Sequence, residues 1–168
     1  MVKEKLITFL ESITDGTHSS VQNSSSNTNI FLLSCKNIKD GKIFISSSDR
    51  QIDLSTLNKL KKRTKLSFED VVLTTVGTIG EVSIIKHREP NFDFQRSVAI
   101  LKTKKNLLNP YFLVYYLSSN SGKNELISRI KGAVQPCLFL NDIKNVLINV
   151  PDLQTQQHIV NTMFWFNL

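Results

Sequence analysis

Carboxylates, histidines and cysteines come first, because most hydrolytic and group-transfer chemistry needs them. A two-metal nuclease gathers acids and a Glu-x-Lys pair on one strand. None of Glu4, Glu11, Glu69, Glu81, Glu89 or Glu125 has a lysine two positions on. A base methyltransferase needs a glycine-rich cofactor loop after a strand and a proline-rich or cysteine motif for catalysis, and neither pattern occurs. Pro136-Cys137 matches a cysteine nucleophile only superficially, with no cofactor-binding pattern around it. His18, His87 and His158 share no ligand spacing with one another or with Cys35 and Cys137, so no metal is implied. The two cysteines lie in apolar segments and read as buried free thiols in a reducing cytoplasm. The expectation is a chain that is not an enzyme and takes no cofactor.

Cations are the other chemistry available. The net charge is +7 over 168 residues, which raises the prior for a polyanionic partner. Lys59, Lys61, Lys62, Arg63 and Lys65 place five cations in seven residues with no acid among them. Such a run is either a solvated helix face or a phosphate-contacting surface. Five neutralised phosphates would give a log–log salt slope of about −4 to −5. Lys86-His87-Arg88 is a second basic point. Lys102, Lys104 and Lys105 form a third, which reads as plain surface.

The elements that must position these residues follow from periodicity and turn chemistry. The length suits one domain that needs no metal or disulfide for stability. No stretch approaches the ~20 apolar residues of a membrane span, and the charged N-terminus has no apolar run of signal length. Leu6, Phe9, Leu10 and Ile13 are spaced for one apolar face of a helical or irregular opening. Thr14-Asp15-Gly16-Thr17-His18 is a turn signal. The polar tract 19–29 reads as an exposed, mobile loop. Strands are expected over 30–35, 42–45, 71–76, 81–85, 97–102 and 146–150, with a helix over 54–65. Asn109-Pro110 caps and starts a helix carrying Phe112, Leu113, Tyr116 and Leu117. A second helix over 123–131 is expected to bury Leu126, Ile127 and Ile130. Pro151 ends the last strand and Asp152 caps a terminal helix.

Gly77-Thr78-Ile79-Gly80 allows two readings. The GxxG clamp of a KH RNA-binding module joins two helices. A hairpin turn fits the β-like flanks better, since glycine supplies the positive φ of tight hairpins.

Taken in order, these segments resemble the target-recognition domain of type I restriction–modification specificity subunits. Asp15 and Gly16 stand in a T-D-G-T-H opening. Phe31-Leu32-Leu33 followed by Asn37-Ile38-Lys39-Asp40-Gly41 is similar to the family's strand and N-I-x-x-G step. Leu60-Lys61-Lys62-Arg63 and 68–74 resemble the run ending in G-D-I-L-(h)-T. Gly77, Thr78 and Gly80 match G-T-I-G. Gly132-Ala133-Val134-Gln135-Pro136 resembles G-x-(T/V)-Q-P, and 150–160 is similar to P-x-L-x-E-Q-x-I-V. Two departures stand out: Glu69 where the family often has Gly, and Gln156 where it usually has Glu. Both are expected to be cap and turn positions.

The resemblance implies an α/β (α+β) fold with a twisted, barrel-like sheet, peripheral helices and the start of a C-terminal conserved helix. Residues 1–150 would form the recognition domain. Residues 151–168 would form a truncated start of the spacer or dimerisation helix, offering Leu153, Gln157, Ile159 and Val160 to a partner, with an apolar end, 163–168, that needs cover. The implied function is sequence-specific reading of one half of a bipartite site in double-stranded DNA, directing separate methyltransferase and restriction subunits. A second copy, or another specificity chain, would complete the site. The residues expected to contact DNA are His18, Lys61, Lys62, Arg63, Arg88, Arg96 and Gln135, with Arg or Gln reading bases and Lys holding phosphates. Alternatives are the recognition portion of a fused restriction–methylation enzyme, an RNA-binding module, and a fragment that only engages methyltransferase subunits. The expected compartment is the cytoplasm and no membrane is involved.

Overall fold

The computed structural model describes residues 3–166, with side chains described through residue 163. Its strands in chain order are β1 (Glu4–Lys5), β2 (Leu10–Asp15), β3 (Phe31–Leu33), β4 (Ile38–Lys39), β5 (Lys42–Ile43), β6 (Val71–Thr74), β7 (Val82–Ile84), β8 (Phe92–Phe94), β9 (Val98–Thr103) and β10 (Leu147–Ile148). The helices are α1 (Leu54–Thr64), α2 (Pro110–Ser118), α3 (Asn120–Ile127), α4 (Leu140–Lys144) and α5 (Leu153–Phe166).

The central sheet has four antiparallel strands in the order β2-β9-β6-β7. Its inner strands are apolar on both faces, and period-2 alternation sends their side chains into two cores. Val71, Leu73, Ala99 and Leu101 face the helical side, packing with Phe112, Leu113 and Leu117 of α2, Leu126 of α3 and Val160 of α5. Val72, Val98 and Ile100 face the other side, against Phe31, Leu33, Phe92, Phe94 and Ile38. That second layer is built on β3 and β8, which pair in parallel. The mixed α/β class matches expectation. The four-stranded sheet is open, with β2 and β7 at its edges, and does not close into a barrel.

Asn109 caps α2 as expected: its side chain accepts from the amides of Tyr111 and Phe112, with Pro110 in the first turn. Helix α1 spans nearly the expected range and ends at Lys65, in the left-handed region at φ 48°. Other expectations shift. The opening residues form a single 3-10 turn, Leu6–Phe9, then strand β2, because β9 supplies an antiparallel partner that local periodicity cannot see. Helix α3 begins earlier than expected, capped by Ser119, whose side chain accepts from the amide of Gly122. Ile127, expected to be buried, is 62% exposed. Strand β8 and helix α4 carried no sequence signal strong enough to place them.

Both departures from the family pattern are more than surface changes. Glu69 has φ 69°, a backbone region that favours glycine. Gln156 is fully buried. Its Nε2 donates to the carbonyls of Leu107 (2.9 Å) and Pro151 (2.7 Å), and its Oε1 accepts from the amide of Asn109 (2.8 Å). It docks α5 onto the start of α2. An ionised carboxylate has no proton to give those two carbonyls, so this is a buried junction and not the cap or turn position expected.

Gly77–Gly80 joins two strands. Thr74 Oγ1 donates to the Thr78 carbonyl and accepts from the Glu81 amide (2.9 Å), while the Gly80 amide donates to the Thr74 carbonyl (3.0 Å). Gly77 and Gly80 have φ 76° and 93°. This is a hairpin turn between β6 and β7, so the helix-to-helix KH clamp is not formed.

Candidate nucleic-acid interface

Three of the sequence motifs meet at the start of β9. The corner Gln95-Arg96-Ser97 links β8 to β9, and its backbone is bonded on several sides. Gln95 N donates to Leu33 O (2.8 Å), and Arg96 N donates to Thr17 O (3.0 Å). Thr75 N donates to Ser97 O (2.9 Å), and Cys35 N donates to Ser97 Oγ (3.1 Å). On one side the Thr14–His18 turn is fastened down. Gly16 N donates to Val98 O (3.0 Å) and Thr17 N to Phe94 O (2.8 Å). A Cβ on Gly16 would lie 2.1 Å from the Phe94 carbonyl oxygen, so only glycine fits. On the other side, Cys137 bridges both Val76 and Lys131. The mutual bonds of Lys131 and Cys137 (3.0 and 2.8 Å) close the loop 132–136. Gly132 has φ 95° at its base, and Val134 at its tip is 99% exposed. Burial pushes the Cys137 thiol up, and the charge of Arg96 pulls it partway back.

The expected DNA contacts separate into spent and free side chains. Arg63 is spent: Nη2 meets Asp15 Oδ1 at 2.5 Å, and Nη1 donates to the carbonyls of Asp15 and Gly16, both at 2.7 Å. It clamps α1 to the Thr14–His18 turn. The other Asp15 oxygen holds His18 Nε2 at 2.5 Å. Lys61 Nζ donates to the Pro90 carbonyl (2.6 Å). Below it, buried Asp93 accepts from Thr64 Oγ1 (2.6 Å). Burial raises the Asp93 pKa, and the Thr64 and Phe94 hydrogen bonds with the charges of Lys61 and Arg63 pull it partway back. Arg88 stacks over Phe68, 5.5 Å from the ring centroid, at the opposite end of β6 from Arg96. Lys62, Arg96 and Gln135 are exposed.

Lys102, Lys104 and Lys105, expected to be plain surface, each hold the fold together. They donate to Asp70 Oδ2 (2.5 Å), Thr8 O (2.9 Å) and Glu69 Oε2 (2.6 Å). The tract 19–29 has no regular structure and is mostly exposed. It is nevertheless tethered: Arg50 donates to Asn23 Oδ1 (2.7 Å) and Val21 O, and Ser24 Oγ donates to Asp53 Oδ1 (2.6 Å).

The first part of this tract stands between two open grooves. One, of about 400 Å³, runs between residues 17–22 and α1, with Thr56, Lys59 and Arg63 on its far wall. The other, of about 180 Å³, lies between 17–21 and the β9 corner, lined by His18, Arg50, Gln95 and Arg96. Of these lining residues, His18 and Arg96 stand among the contacts expected from the sequence, and Gln95 and Arg50 do not. Their positions depend on pairings with Leu33 and Val21, which leave no local signal. Of the partner-helix residues, Val160 is turned into the domain's own core and Ile159 packs against it. Gln157 bonds Asn109 (3.0 Å) and Asn161 (2.8 Å), and Leu153 is exposed. Among the described residues no three His, Cys, Asp or Glu side chains gather to hold a metal. None of the described helices is long and apolar enough to cross a membrane.

The family model for the type I restriction modification DNA specificity domain matches residues 11–167. The chain is 31% identical over 133 residues to the type I restriction enzyme EcoBI specificity subunit of Escherichia coli, covering 73% of this chain and 28% of that one. The fold is similar to part of the type I restriction–modification S subunit from M. genitalium (TM-score 0.60, 16% identity, covering 98% of this chain and 38% of that one). It is also similar to part of the HsdS subunit from Thermoanaerobacter tengcongensis (TM-score 0.62, 20% identity, covering 98% and 36%). The chain thus spans between 28% and 38% of the length of these relatives. By the family model and the order of its motifs, this chain belongs to the type I restriction modification DNA specificity domain family.

Proposed function

We propose that this chain is a DNA target-recognition module that reads one half of a bipartite duplex site and carries no chemistry of its own. It would direct a separate adenine methyltransferase and a restriction subunit to the site. A second copy or another specificity chain would supply the other half, and the helix from Leu153 onward would be the connecting element. The observation that carries this reading is the meeting of the Thr14–His18 turn, the β9 corner and the 132–136 loop, with exposed cations beside them. Side chains on such corners reach base edges, while lysines on α1 hold phosphates.

The test is binding of the purified chain to random-sequence duplex DNA and to single-stranded RNA across a salt series. Duplex binding that weakens with salt is expected, and preference for single-stranded RNA would overturn the reading. Because Lys61 and Arg63 are tied to the protein's own carbonyls and carboxylate, Lys59 and Lys62 carry more of the phosphate contact. Replacing both with alanine is expected to make the log–log salt slope shallower by about 2, on all sequences alike. Co-expression with methyltransferase subunits and mapping of methylated adenines tests the directing role.

A further inference from the structure

Two side chains at the β9 corner combine a fixed backbone with an unused polar head. Gln95 and Arg96 have their main chains bonded to Leu33, Thr17 and, through Thr75 Oγ1 to the Arg96 carbonyl, the residue that follows β6 (2.8, 3.0 and 3.4 Å). Among the described residues, neither side chain makes a hydrogen bond or ion pair within the protein. Arg63 is the reverse case, with its guanidinium consumed by Asp15 and Gly16. Both corner side chains line the groove of about 180 Å³. That is below the ~300–1,000 Å³ of sites that enclose a small molecule. The groove is open, and its walls are the bonded Thr17–Val21 segment and Leu32.

We propose that Gln95 and Arg96 are the base-reading pair of this module, Gln95 for adenine and Arg96 for guanine, and that Arg63 positions the neighbouring turn without touching a base. The proposal rests on the DNA-recognition reading above. A primary amide is complementary to the N6 and N7 edge of adenine, and a guanidinium fork to O6 and N7 of guanine. Unused donors and acceptors on a rigid corner suit that task, because little is lost in ordering them. They also reject the wrong base, since a mismatched edge leaves them buried and unpaired.

The test is selection of preferred sites from a random duplex library by the wild-type chain and by Gln95→Ala, Arg96→Ala, Arg96→Lys and Arg63→Lys. Gln95→Ala and Arg96→Ala are expected to erase preference at one or two neighbouring base pairs, a loss of about 5- to 150-fold in discrimination, while affinity for unselected duplex changes little. Arg96→Lys keeps the charge and is expected to lose the same guanine preference. Arg63→Lys is expected to leave the preferred sequence unchanged. A wild-type motif retained in full by the Gln95 and Arg96 variants overturns this proposal alone. Failure of the wild-type chain to bind or select duplex DNA overturns the recognition reading on which it rests. Because both side chains are unbonded in the protein, the variants are expected to melt as the wild type does. If an alanine variant fails to fold, loss or retention of the guanine preference in Arg96→Lys decides the matter in its place.

Discussion

The Thr14–His18 turn and the Gly132–Pro136 loop flank the same corner and are built in opposite ways. The turn is welded in: Gly16 is boxed by the carbonyls of Phe94 and Gln95, Asp15 is gripped by Arg63 and His18, and Thr17 bridges Gln95. The loop is closed only at its base, and every residue from Gly132 to Pro136 is exposed. A motif can therefore be demanding because packing requires it or because a partner meets it. The turn belongs to the first kind. The loop has almost nothing inside the molecule that requires its tip, where Val134 and Gln135 are exposed.

Four substitutions sharpen or break that contrast. The largest effect is expected from Gly16→Ala. Its Cβ would meet main-chain oxygens at 2.1 and 2.3 Å, which cannot swing away as a side chain does, so a loss of about 4 kcal/mol or more is expected in denaturant unfolding. Gly132→Ala also clashes, 2.5 Å from the Gln135 carbonyl oxygen at φ 95°. Here the neighbour is an exposed loop that can yield, so about 1–2 kcal/mol is expected. Equal losses at the two glycines would break the contrast.

Arg63→Ala removes the clamp on the turn. Its guanidinium is about half exposed (48%) and screened, so about 1 kcal/mol is expected in thermal melts, with a looser Thr14–His18 turn seen by amide exchange. At the loop tip, Val134→Ser is expected to change stability by less than about 0.5 kcal/mol. Its DNA affinity is expected to fall if the tip meets the duplex. Unchanged binding on every sequence would remove the loop from the interface.

Asp93, under α1 beside the clamp, gives a pH test of the same region. Burial raises its folded pKa above the unfolded value of about 3.9. The folded state therefore holds the proton more tightly, and stability from this group declines as pH rises from about 4 through the folded pKa. Asp93→Asn, which can still accept from Phe94 N and donate to Thr64, is expected to melt slightly higher than wild type at neutral pH. The difference should vanish near pH 4. A variant less stable at neutral pH would show that the charge of Asp93 is needed against Lys61 and Arg63.

Much of the architecture was legible from local pattern. Asn109-Pro110 announced α2, the β-branched run 71–74 announced a buried strand, and the glycines of 77–80 announced a hairpin. Each is a signal carried by a few adjacent residues. The misses have a common cause in long-range pairing. β2 looked helical because its partner, β9, begins more than eighty residues later. β8 was invisible because three residues that pair in parallel with β3 leave no periodicity to read. Gln156 looked like a cap because nothing nearby in sequence reveals the carbonyl of Leu107 or the amide of Asn109, nearly fifty residues away.

By itself the sequence pointed to a polyanionic partner, through its charge, and carried the family, through six motifs in order. It also determined most helices and strands, because capping, turn and alternation rules act over a few residues. Only the tertiary structure decided which cations are free. Lys61, Lys62 and Arg63 are consecutive and chemically alike, yet Lys61 is bound to Pro90 and Arg63 to Asp15, while Lys62 faces solvent. Arg96 is left unspent by the same logic. A side chain's availability depends on which donors and acceptors the fold brings within about 3 Å, and that is a property of distant neighbours, not of sequence position.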